Sequence, residues 1–245
     1  LILLLLLQLT INDAIEAYNQ GQYERAQNIA FQIELDTTDS FQYYEVLELR
    51  AYTSTSVREF DKADSLFQLV FEASYKSILA KAYVDYAELQ HLQFNFDRRL
   101  TYLKKAYELE QRAQTVRIIA RHYFQVEADF EKAQEWIDKH PVVMDPKEQA
   151  GFNLLLAEFN ESKRKYELAI RYYSMAKINA QQANLFSYEL FASKGLYRSN
   201  RILEAQKQEN MINLISWLIL SLIGYYIYKH KNYVSAILGK DSGGT

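Results

Sequence analysis

Apolar and small residues recur at steps of three and four along most of the chain, the spacing of one face of a helix. Within that pattern one phrase repeats, an aromatic or apolar residue followed three places later by alanine: Tyr23/Ala26, Phe60/Ala63, Phe130/Ala133, Tyr166/Ala169 and Ile202/Ala205. A degenerate copy has Phe96 with Arg99 in the alanine place. The anchors stand 37, 36, 34, 36 and 36 residues apart, a period that predicts stacked helical hairpins rather than one globular core. Each anchor opens the second helix of a hairpin, and later turns stay in phase, as in Ala63, Phe67, Val70 and Ala169, Tyr173, Ala176. About nine residues before the anchors the first helices carry small residues, Ala14, Ala51, Ala87, Ala157 and Ser193, which let paired helices approach closely.

First helices are predicted at 12–19, 41–53, 77–92, 113–126, 148–161 and 186–199, with the sixth unit's second helix starting near Asn200. Asp145-Pro146 reads as a capped helix start, where proline's missing N–H costs nothing, and His140-Pro141 closes the helix before it. The stretch Gly21-Gln22-Tyr23-Glu24-Arg25-Ala26 and the Lys165-Tyr166-Glu167-Leu168-Ala169 run resemble the tetratricopeptide repeat motif, and the resemblance covers residues 10–211 in six units. It implies an all-α, TPR-like α-solenoid of about six helical hairpins. The chain departs from that pattern at Arg99, and at Arg121, where a small residue is expected.

Composition agrees with helix throughout: 7 glycines and 2 prolines in 245 residues leave little to break one, and 20 tyrosines supply the packing. There is no cysteine, so disulfides and thiolate ligands are excluded while the compartment stays open. A net charge of -3 with interspersed signs offers no basic field, so direct nucleic-acid binding is not expected. No zinc-binding His-Glu-x-x-His, phosphate loop or nucleophile elbow occurs, and no catalytic, cofactor or metal residues are assigned.

The resemblance places the first helices on the concave wall, where Glu45, Glu48, Lys81, His91, Gln125, Glu161 and Lys194 join the candidate partner-binding residues Tyr52, Glu88, His122, Glu158 and Tyr197. Such a mixed, acidic and aromatic groove reads either as an ordinary solvated face or as a site for a protein or peptide. It lacks the lysine and asparagine set with which some relatives of that family grip a chaperone's terminal carboxylate.

Two apolar runs flank the repeats. Residues 1–9 read as the remains of a signal peptide, or else as an apolar turn covering the first repeat. From Ile212 to Tyr228 there is no charge over 17 residues, about 25 Å of helix against a bilayer core of about 30 Å. Tyr225, Tyr226 and Tyr228, followed by Lys229 and Lys231, form an interfacial edge, and no polar stripe marks the run as a capping helix, so it is predicted to be a transmembrane helix. Residues 229–245 read as a short flexible tail. Lysine and arginine tie on the two sides of the span, and the leader breaks the tie towards an exported repeat domain at a bacterial inner membrane. One helix is expected to run from the last repeat into the span. The arrangement resembles the membrane-anchored tetratricopeptide sensors of Bacteroidetes-type bacteria without their output module. It implies a scaffold or sensor that binds protein or peptide and is no enzyme; a tail-anchored cytosolic adaptor is the alternative.

Overall fold

The computed structural model describes residues 9–35, 40–142 and 145–230. All regular structure among them is helical: α1 (Ile11–Asn19), α2 (Tyr23–Gln32), α3 (Ser40–Ser56), α4 (Phe60–Val70), α5 (Lys76–Leu92), α6 (Phe96–Leu109), α7 (Ala113–Gln125), α8 (Phe130–Asp138), α9 (Pro146–Ser162), α10 (Tyr166–Gln182) and α11 (Phe186–Lys229). The aromatic anchors Tyr23, Phe60, Phe96, Phe130 and Tyr166 each begin a second helix, as the spacing predicts. Contacts divide the chain into two compact units, Leu1–Leu155 and Leu156–Thr245.

Each anchor is preceded, two residues back, by a residue with positive φ: Gly21, Arg58, Phe94, Ala128 and Arg164. That left-handed residue reverses the chain. The next N–H then reaches back five residues, from Gln22 to the Ala17 carbonyl (2.9 Å), Glu59 to Ser54 (2.9 Å), Asn95 to Gln90 (2.8 Å) and Lys165 to Asn160 (2.8 Å), closing the first helix's free carbonyls. In the fourth hairpin the bond runs from Asp129 to Tyr123, one residue wider. The wider turn explains Arg121: the small contact residue of α7 is shifted by one to Ala120, which is fully buried.

In the first unit the predicted alanines Ala14, Ala26, Ala51, Ala63, Ala87 and Ala133 lie at the helix crossings with essentially no exposure. Phe67, Phe71, Tyr86 and Tyr102 stack between them, with Phe71 and Tyr102 parallel at 5.8 Å and Tyr86 edge-on to Tyr102 at 4.6 Å. The Tyr86 hydroxyl donates to Asp64 at 2.6 Å, so a buried tyrosine keeps a polar partner. Arg50 of α3 donates to the carbonyls of Ala30 (3.0 Å) and Ile33 (2.7 Å), satisfying the open end of α2 in the preceding hairpin. α9 starts at Pro146, and Asp145 accepts the Glu148 N–H at 3.2 Å.

The sixth unit departs from expectation. No turn forms near Asn200, where a second helix was expected to start; α11 continues as one helix of 44 residues. The left-handed turn residue sits at Asn184 instead, between α10 and α11. Ile202 and Ala205 therefore stand in a helix interior, Ala205 exposed, and the small contacts of α11 are Ala192 and Gly195 rather than Ser193. Residues 204–229 of α11 are all exposed. An 18-residue window of this helix has a mean hydropathy of 1.6, long and apolar enough to cross a membrane by length and composition. The leader reading at 1–8 and the tail reading at 231–245 fall outside the described residues.

Candidate functional site

Within the first unit the first helices of successive hairpins, α1, α3, α5 and α7, line a cavity of about 440 Å³, with α2 contributing Tyr23, the turn before α4 Arg58, and α6 Arg99 and Leu103. One wall is tyrosine. The Tyr18 ring lies 5.0 Å from Tyr23 and 4.8 Å from Tyr52, all tilted rather than stacked flat. The Tyr18 hydroxyl oxygen lies 3.3 Å from the Ser56 hydroxyl, whose hydrogen also reaches the Tyr52 carbonyl at 3.1 Å, and it accepts from Tyr52 at 2.8 Å. Burial, that hydrogen bond and the nearby Asp85 and Glu48 charges raise the Tyr52 hydroxyl's pKa.

Carboxyls gather beside this wall. Glu48 of α3 is 1% exposed and pairs through Oε2 with Lys81 of α5. Asp85, one turn after Lys81, lines the cavity with Glu88. Glu48 Oε1 and Asp85 Oδ2 are both cut off from solvent, and the two carboxyls have each other to bond to. Burial pushes the Asp85 carboxyl well above its usual range, helped by a hydrogen bond to Glu48 and by the charges of Glu48 and Glu88, with Lys81 opposing. Arg99 brings a solvent-excluded Nε without a partner to the same cavity. The residue that breaks the aromatic-x-x-alanine phrase thus lines the site.

Of the residues picked from sequence, Tyr52 and exposed Glu88 line this cavity together. His122 does not face an open groove: it is 2% exposed, its Nε2 lies 3.2 Å from Glu127, and its ring packs near Phe96. Burial first, then the Arg99 charge, lowers its pKa, so it is a neutral packing residue near neutral pH. Glu158 and Tyr197 belong to the second unit, Glu158 half-buried on α9 and Tyr197 exposed on α11. There Tyr197 borders a cleft of about 450 Å³ along α11 with Arg201, Ile202 and Glu209.

Solved structures with this architecture include a tetratricopeptide repeat protein from Parabacteroides merdae, 16% identical over 75% of this chain and 69% of that one, with a TM-score of 0.56. A thermophilic tetratricopeptide repeat protein from Thermus thermophilus is 17% identical over 76% of this chain and 97% of its own, also at a TM-score of 0.56. The fold is that of the tetratricopeptide repeat. The Pseudomonas aeruginosa pilF protein is similar at 15% identity over 80% and 95% of the two chains, with a TM-score of 0.50. No family model matches the sequence, and no curated protein matches it.

The second unit of this tetratricopeptide fold holds a polar knot that sequence reasoning missed as a group. Glu161 at the end of α9 accepts from Arg198 Nε at 2.8 Å and Nη2 at 2.5 Å, from the Tyr173 hydroxyl at 2.8 Å and from Ser199 Oγ at 3.0 Å. Burial works against its ionisation, but hydrogen bonds from Arg198, Tyr173 and Ser199 outweigh it and hold the pKa below the usual value. Gly195 packs on the Tyr173 ring so closely that a Cβ there would lie 2.3 Å from a ring carbon. Glu161 and Arg198 are 37 residues apart, about one repeat, and that spacing was the signal available for pairing them. Among the described residues no three histidine, aspartate or glutamate side chains come together as a metal site.

Proposed function

We propose that the chain is a membrane-anchored tetratricopeptide scaffold or sensor that takes a protein or peptide partner on its repeats and relays binding through a single span. Its role is binding rather than catalysis. The observation that carries this reading is α11. One helix holds the buried contacts Ala192, Gly195 and Ser199 at one end and a fully exposed apolar run at the other. Exposed apolar surface of that extent calls for a cover, and lipid suits a segment whose backbone is satisfied within its own helix. Ser216 fits it too, since its hydroxyl donates to the Ile212 carbonyl at 2.9 Å and needs no water. The repeat region lies on the outer side of a bacterial inner membrane in this reading, as an N-terminal leader would place it.

The chain has no cysteine, so topology is testable on a clean background. Glu135→Cys and Ser242→Cys variants are exposed in intact cells to a membrane-impermeant thiol reagent. Labelling at 135 and protection at 242 is the expected result. Protection at 135 would make the protein a tail-anchored cytosolic adaptor. Extraction of the protein from membranes by alkaline carbonate would remove the anchor altogether.

A further inference from the structure

Resting on the reading that α11 crosses a membrane, we infer that the turn between α9 and α10, Lys163-Arg164-Lys165, is a second membrane contact that docks on anionic lipid headgroups. The register of the helices in the second unit places it. Gln181 near the end of α10 donates to Glu189 near the start of α11 at 2.7 Å. Eight residues earlier the Tyr173 ring packs on Gly195, and its hydroxyl accepts from Arg198 Nη2 at 3.4 Å. α10 therefore runs antiparallel to α11, and the same register carried back to Tyr166 sets the start of α10 level with residues 202–205. Glu161 at the end of α9, bonded to Arg198 and Ser199, holds the other arm of the turn close to that height.

The distances then match a bilayer surface. From residues 202–205 to Ile212, where the apolar run begins, is about 10–15 Å of helix at 1.5 Å per residue. The headgroup layer takes up roughly 5–7 Å of that. The remainder lies within the reach of long basic side chains and within a screening length of about 8 Å. Lys163, Arg164 and Lys165 are all exposed. Ser199, Leu203 and Lys207 follow at steps of four on α11, so Lys207 stands below the turn on the same face, at the level of the headgroups. Glu204 and Glu209 lie about 100–120° round the helix from Leu203, and Glu167 on the first turn of α10 offsets one of the basic charges. The other end of the same helix pair is the natural control: residues 180–188, around the Asn184 turn, carry no charge. The basic triplet thus stands at the end that faces the span, with no charge at the end that faces away, the arrangement an anionic surface attracts. The turn reaches whichever leaflet borders the repeats, so the contact is independent of topology.

The test uses the full chain in lipid nanodiscs, with a nitroxide on Ser162→Cys beside the turn and a nickel-chelating lipid that speeds relaxation of any label near the surface. With phosphatidylglycerol mixed into phosphatidylcholine, relaxation at 162 is expected to rise at least twofold over phosphatidylcholine alone and to fall back in about 0.5 M sodium chloride. The triple variant Lys163→Gln, Arg164→Gln, Lys165→Gln removes the rise, with hydrogen exchange at the Ser199 amide unchanged because the Glu161 contacts remain. The salt effect on the unmodified turn tests the same point without a substitution. Equal relaxation in the two lipids, or a rise that survives both salt and the triple variant, overturns the docking and leaves the anchor standing. A chain that separates from the discs overturns the anchor and the docking together. Release of the contact by inorganic phosphate, at an ionic strength where chloride does not release it, would reassign the turn to free phosphate and overturn the lipid.

Discussion

Among the described residues five of the six left-handed turn residues are not glycine: Arg58, Phe94, Ala128, Arg164 and Asn184. A side chain in that region costs about 1–2 kcal/mol, less for asparagine, and glycine gives back roughly 0.5–1 kcal/mol through the freedom of the unfolded chain. Ala128→Gly is therefore expected to stabilise the fourth hairpin by about 0.5 kcal/mol, seen as a raised urea midpoint; a lowered midpoint would contradict the turn's role. The opposite case is Gly195. Gly195→Ala drives a methyl into the Tyr173 ring, which its hydroxyl holds against Glu161. The ring cannot yield without losing that bond, so a loss of about 1–3 kcal/mol is expected in thermal denaturation.

Among elements, the informative junction is the one where Glu161 ties the end of α9 to α10 and α11. Glu161→Ala leaves Arg198 and Ser199 without their acceptor, and local opening of α11 near residue 199 is expected to become easier by about 1–3 kcal/mol, read by hydrogen exchange at those amides. The pH dependence follows from the same group. Its pKa is lowered on folding, so its stabilisation is complete above the unfolded carboxylate value and is lost as pH falls through the folded one. His122 acts in the same direction: its pKa is also lowered, so it stabilises above the unfolded histidine value and destabilises once acid forces a proton onto it. The contributions of these two groups are expected to be lost from about pH 6 downwards, against the buried Asp85 carboxyl, whose raised pKa works in the opposite direction. His122→Gln should flatten the upper part of that decline, and Glu161→Gln the lower part, in melting curves taken against pH.

For the whole molecule the consequence lies in α11. At 1.5 Å per residue its 44 residues extend about 66 Å, and the stretch from 199 to 211 carries neither glycine nor proline to act as a hinge. A rigid rod transmits rotation or translation of its packed end, whereas a turn near Asn200 would have decoupled the two. Slow amide exchange is expected throughout residues 205–211 in a bilayer; fast exchange there would show a broken helix and remove the relay.

The sequence by itself determined the repeat. Its period, the aromatic residue that opens each second helix and the alanines at the crossings follow from local helix geometry, because residues three and four apart share a face whatever surrounds them. The cap at Asp145 and the apolar run from Ile212 to Tyr228 were legible for the same reason. Only the tertiary structure decided what depends on a second segment. It moved the contact in α7 from Arg121 to Ala120 through a turn one residue wider, and it buried His122 between helices. It also carried α11 through the position of the expected sixth turn. It drew Asp85 to the Tyr52 cavity, Glu48 to Lys81 and Glu161 to Arg198, pairings between residues that lie roughly one repeat apart. Periodicity places such residues on the same side of successive helices, but helix spacing and the exact turn geometry settle which side chains touch.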